Sequence, residues 1–113
     1  MWFICLRHAI QPREQWTTAL DTHLAWMKTQ HDTGNILMSG PGTTPEGDRV
    51  GIYLIRAESR SEAEQIAAGD PFTVAGHCAF NLITWEVHQI MGAGPFVGSL
   101  LQAMAPAPSG QRG

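Results

Sequence analysis

Charge is what this chain has least of. Asp, Glu, Lys and Arg make up 15% of its 113 residues, against about 25% in an ordinary soluble domain. A small domain has much surface for its volume, so few charges imply that something else covers part of it. Basic residues are scarce too: Lys and Arg number 7, scattered without a run, and the formal net charge is -3. A nucleic-acid partner needs a basic face against its phosphates, so none is expected. Cysteines number only 2, Cys5 and Cys78. They belong to no C-x-x-C pair, make no disulfide scaffold, and read as two small core residues. Long apolar runs are missing as well. Met1 to Leu6 is hydrophobic but lacks a charged leader, and Arg7 and His8 end it at once. It is too short for a signal sequence or a membrane span. The expected compartment is the cytoplasm, with no membrane partner.

Against these shortages stands an ordinary apolar content of 43%, enough for one core in a chain of one-domain length. The expected domain spans residues 1–90. A Gly-, Pro-, Ala- and Ser-rich extension follows over 91–113, with a short helix in its middle and a frayed end. No internal repeat is visible.

The run Met1 to Ala9 reads as a strand. Pro12 suits the first turn of a helix and Glu14 the positive end of its dipole. The spacing predicts that helix over Arg13 to Asp32, stopped by Gly34. At 3.6 residues per turn, Trp16, Ala19, Leu20, His23, Leu24, Trp26 and Met27 share one side, and Glu14, Asp21, Lys28 and Asp32 the other. Asn35 to Gly40 is a second strand, Pro41 to Asp48 a loop, and Val50 to Ala57 a third strand. Ser59-Arg60-Ser61-Glu62 is a capping-box pattern that opens a helix over Ser61 to Ala68, with Gly69 behind it. Asp70 caps one further turn, and Ala79 to Ile90 is a fourth strand.

The order is β-α-β-β-α-β. Its natural architecture is an α+β, ferredoxin-like one: a four-stranded antiparallel sheet with two helices on one face. The strands do not alternate cleanly. Trp2, Ile4 and Leu6 oppose Phe3 and Cys5, Ile52 and Leu54 oppose Tyr53 and Ile55, and Ile83, Trp85 and Val87 oppose Phe80 and Leu82. Both faces are apolar, yet two helices cover only one. The expectation is a homodimer packed through the open sheet face.

Two residues stand out for chemistry. His23 lies within an apolar helix stripe, where an imidazole needs either a hydrogen bond or a cavity to line. A histidine moves protons near neutral pH, although a core histidine held by a backbone carbonyl accounts for the same pattern. Asp70 before Pro71 and Phe72 is a helix cap. It is also placed to accept a bond from an imidazole, since both helices lie on one sheet face. His8, His31, His77 and His88 form no H-x-x-x-H or H-x-x-E pair on a predicted helix, so no metal site is expected.

The run His23-Leu24-Ala25-Trp26, the segment His31-Asp32-Thr33-Gly34-Asn35-Ile36-Leu37-Met38-Ser39-Gly40-Pro41, the Ser61-Glu62-Ala63-Glu64 helix and Asp70-Pro71-Phe72 together resemble the YciI-like family, the YCII-related domain, over roughly residues 1–90. The resemblance implies a dimeric α+β barrel and a catalytic His–Asp pair, which falls on His23 and Asp70. Trp26, Ser39 and Phe72, from the same motifs, and His8, at the end of the first strand, are then the candidates for substrate contact. A relative in that family removes chloride from a chlorinated hydroxyquinone, and the wider superfamily holds isomerases and cofactor-free monooxygenases. The implied function is that of a cofactor-independent lyase or isomerase acting on a small ring. The alternative is a non-catalytic dimeric small-molecule-binding or accessory protein of the same fold. The chain departs from the family where an Arg often precedes the histidine: Leu20 and Thr22 stand there, and Arg13 is further back.

Overall fold

Four stretches rich in β-branched, aromatic and aliphatic residues become strands of eight residues each in the computed structural model, which describes residues 1–90. They are β1 (Trp2–Ala9), β2 (Ile36–Thr43), β3 (Arg49–Arg56) and β4 (Cys78–Trp85). All pairings are antiparallel, in the order β2-β3-β1-β4. Helices α1 (Arg13–Trp16) and α2 (Leu20–Asp32) precede β2, and α3 (Arg60–Ala68) and α4 (Pro71–Val74) precede β4. This is the ferredoxin-like α+β arrangement. The C-terminal extension expected over 91–113 lies outside the described residues.

The register sets which side chains share a face. Phe3, Cys5 and Arg7 of β1 pair with Ile55, Tyr53 and Gly51 of β3 and with Thr84, Leu82 and Phe80 of β4. Phe3, Cys5, Tyr53, Ile55 and Leu82 are buried in one cluster with Ile36 and the inward side of α3, Ala63 and Ala67. Each of the large members contributes about 1.5–3 kcal/mol through burial. The small residues of α3 let it lie close to the sheet, and Ser59 fixes its start by accepting a bond from the Glu62 amide at 3.1 Å.

Four expectations need correction. The first helix is broken: α1 is a single turn and Thr17–Ala19 is a 3₁₀ turn before α2 begins. Two consecutive β-branched residues, Thr17 and Thr18, crowd the preceding turn, and the Thr17 hydroxyl bonds back to the Glu14 carbonyl at 3.3 Å. The apolar stripe of α2 is not packed throughout: His23 is its buried residue, while Leu20 and Leu24 are 43% and 55% exposed. Strand β2 runs on through Pro41, Gly42 and Thr43, which were expected in the loop. β2 is an edge strand, the place in a sheet where a proline is tolerated. Strand β4 stops at Trp85 rather than Ile90, and Val87 turns to bury itself against Trp2.

The other sheet face carries Ile4, Leu6, Ile52, Leu54, Ile83 and Trp85, by the same register. No helix of the described residues covers it, and Ile52, Ile83, Trp85 and the neighbouring Met38 are 39%, 49%, 44% and 68% exposed. No helix of the described residues is long and apolar enough to cross a membrane.

Candidate active site

Asp70 owes its place to local chain chemistry. Gly69 closes α3, and Asp70 turns the chain into α4, with Pro71 at the first helical position. Its side chain caps the new turn by accepting the Phe72 amide at 3.0 Å, while its carbonyl accepts the Thr73 and Val74 amides. The cap aims the carboxylate inward, where it is fully buried.

Three side chains from three other elements meet it there. His23 of α2 donates from Nδ1 to Oδ1 at 2.8 Å. Arg7 of β1 donates from Nη1 to Oδ2 at 3.0 Å, and the Tyr53 hydroxyl of β3 donates to the same oxygen. Arg7 also reaches the Tyr53 oxygen. Both carboxylate oxygens are thus doubly bonded to donors. A Cβ at Gly51 would stand 2.7 Å from the Arg7 guanidinium, so the glycine facing Arg7 across the ladder leaves it room.

These contacts explain the electrostatics. Burial by itself raises a carboxyl pKa, but the bonds from His23, Tyr53 and the Phe72 amide outweigh it and hold Asp70 below its ordinary value. Burial pushes the Tyr53 phenol up, against the pull of Arg7. For Arg7 burial opposes the charge, yet Tyr53 and Asp70 prevail and raise its pKa. Asp70 is therefore an anion at neutral pH. An anionic acceptor at Nδ1 makes that nitrogen the one bearing hydrogen, so the Nε2 lone pair is free.

The imidazole is held by its faces as well. It stacks on Phe72 with centroids 4.2 Å apart and planes at 17°. Trp16 meets the same Phe72 edge-on at 4.7 Å, and the Arg7 guanidinium lies 5.0 Å from its centroid. Beside this stack opens a cavity of about 310 Å³, bordered by His23, Trp16, Phe72, the core-packed Met27 and the exposed α2 side chains Leu20 and Leu24. The part of the helix stripe that does not enter the core forms a cavity wall instead.

The expected residues divide as follows. His23, Asp70 and Phe72 come together. Ser39 lines the cavity, and its hydroxyl pairs with His31 Nε2 at 2.7 Å. Trp26 lies behind the imidazole, 6.5 Å from it and 6.1 Å from the Tyr53 ring, packed against the core. His8 does not join them: it pairs with Val50 and Ala79 in the row that faces away from the helices. The alternation Trp2, Ile4, Leu6, His8 already carried this signal. Arg7 and Tyr53 were missed. The signal for Arg7 was a charge on the apolar row of Phe3 and Cys5; for Tyr53 it was a hydroxyl on the row of Ile55. Cys5 and Cys78 are buried free thiols; burial pushes Cys5 up to about 12. Among the described residues no group of three His, Cys, Asp or Glu side chains is placed to hold a metal ion.

Comparison with solved structures finds this fold in 5-chloro-2-hydroxyhydroquinone dehydrochlorinase from Burkholderia phenoliruptrix AC1100, in complex with 2,5-dihydroxybenzoquinone. The two are 26% identical with a TM-score of 0.59, over 75% of this chain and 93% of that one. Comparison with curated proteins finds no match. The family model of the YCII-related domain matches residues 1–86. The chain belongs to the YCII-related domain family.

Proposed function

We propose that the protein is a cofactor-independent lyase or isomerase that moves a proton on a small cyclic or aromatic metabolite. His23 is its general base and acid, and Asp70 is the group that orients it. The observation that carries this reading is the 2.8 Å bond from His23 Nδ1 to a fully buried carboxylate. It leaves Nε2 without a partner among the described residues, on a side chain that borders the cavity. Nε2 takes a proton from the bound ring, and Asp70 stabilises the imidazolium that forms while staying ionised. In an elimination, the electrons of the broken C–H bond form a C=C bond and the leaving group departs with its own pair. In an isomerisation, the imidazolium returns the proton at a second carbon. The likeness to a dehydrochlorinase supports the first of these.

The test is turnover on ring compounds bearing a leaving group or a lactone. On a substrate that the wild type converts, His23→Ala is expected to lose about 10²–10⁴-fold in kcat, the usual worth of a positioned proton-transfer group. Full turnover in both His23→Ala and Asp70→Asn sinks the reading. The competing reading is a binding protein that uses the same cavity without chemistry. It is favoured by the complete satisfaction of Asp70, which a purely structural node also has; tight ligand binding with no turnover identifies it.

We infer further that two copies pack through the open sheet face, supported by the apolar side chains there that no helix of the described residues covers. The cytoplasm is the proposed compartment, which two unpaired thiols suit.

A further inference from the structure

The charged groups that border the cavity are of one sign. Arg7, Arg13 and Arg49 line it, and among the described residues no carboxylate does. They are half of the arginines in a chain whose net charge is -3, so the concentration runs against the composition of the whole. Arg7 is neutralised from beneath by Asp70. Arg13 and Arg49 are not: neither has an ion-pair partner among the described residues. Arg13 lies over the Trp16 ring, 5.4 Å from its centroid, which steadies the guanidinium at the wall. Arg49 comes from the first position of β3, opposite Thr43, on the same face as Gly51 and Tyr53. Two uncompensated guanidinium groups at a concave, partly apolar wall focus a positive field into it. Their planar donor forks match a carboxylate. The remaining walls, Trp16, Phe72, Leu20 and Leu24, suit a flat apolar ring, and about 310 Å³ is at the small end of ligand sites.

We propose that Arg13 and Arg49 form an anion-binding end of this cavity and that its ligand is a single-ring compound carrying a carboxylate. The ring lies against the aromatic wall beside His23, and the carboxylate is held by the two arginines. This rests on the reading of the cavity as the substrate site and narrows the substrate class.

Isothermal titration of the full chain tests it with benzoate, 2,5-dihydroxybenzoate and 2-furoate, each against its methyl ester, which keeps the ring and removes the charge. At least one acid is expected to bind about tenfold or more tightly than its ester. That preference should shrink as salt rises and fall by about tenfold in Arg13→Gln and in Arg49→Gln, with ester binding unchanged. Both arginines are exposed, so the variants should melt like the wild type. If no acid outbinds its ester, or if the preference survives in the double variant, the proposal is overturned. The readout is equilibrium binding, so the two readings fail separately. A protein that prefers acids but turns nothing over loses the proton-transfer reading alone. One that converts neutral rings without preferring acids loses only this one.

Discussion

Four donors reach the Asp70 carboxylate from four elements: Arg7 from β1, His23 from α2, Tyr53 from β3 and the Phe72 amide from α4. Removing its charge leaves Arg7, whose side chain is 14% exposed, without its counter-ion. Asp70→Asn is therefore expected to cost about 3 kcal/mol or more in urea unfolding. The pH dependence has a definite sign. Asp70 is depressed below the ordinary 3.8 in the folded state, so in the window between its two pKa values the unfolded chain binds more protons. Its contribution to stability is complete above 3.8 and is lost as pH falls through the folded pKa. Melting curves between about pH 5 and about pH 2 should show this acid-side loss in the wild type and its absence in Asp70→Asn. Gly51 makes a separate test. A methyl group there meets the Arg7 guanidinium at 2.7 Å, so Gly51→Ala should displace Arg7 from Asp70. It should cost about 1–3 kcal/mol without touching His23 directly. The His23–Asp70 part of this cluster was legible in the chain, because an amphipathic stripe and an Asp-Pro-Phe cap are local patterns. Arg7 and Tyr53 were not, because nothing local says which rows of two strands will face the same helix turn.

At the scale of elements, the strongest local signals held. The Ser59 cap, the strands β1 and β3, and the Asp70 turn all stand where the sequence patterns put them. Ser59→Ala removes the bond to the Glu62 amide and should lower stability by about 1 kcal/mol. Turnover and ligand binding should be unchanged, since α3 lines no part of the cavity. The misread elements failed for nameable reasons. Apolar spacing alone ran one helix through Thr17 and Thr18, where β-branching and a back-bonding hydroxyl favour a tighter turn. Turn-type composition put Pro41 in a loop, although an edge strand tolerates it. Strand β4 was drawn too long because Val87 keeps the apolar alternation while leaving the ladder to cover Trp2.

At the scale of the molecule, the low charge noted at the outset has a place. The sheet face away from the helices carries aliphatic and aromatic side chains, several of them 39–68% exposed, and few charges to hold water. If a second copy covers that face, sedimentation at micromolar concentration gives about twice 12.3 kDa. Ile83→Lys, on the outer strand β4 of that face, should return the protein to the 12.3 kDa species by forcing two charges into one apolar contact. A wild-type species of 12.3 kDa would refute the dimer. The cavity lies on the other side of the sheet, so the monomeric variant should retain the His23–Asp70 pair and the binding of small ligands.

What the sequence by itself determined are the properties that depend on neighbours along the chain. These are the β-α-β-β-α-β order, the two apolar faces of the first, third and fourth strands, the cap at Asp70 and the histidine set in an apolar helix stripe. What only the tertiary structure decided depends on residues far apart in sequence: the Arg7 and Tyr53 donors on Asp70, the cavity beside the exposed part of the α2 stripe, the arginines that line it, and the sheet face on which His8 lies. Strand register and the seating of a helix on a sheet are set by the packing of the whole core. A one-residue slip in strand register sends every side chain of that strand to the opposite face, which no local pattern in the chain records.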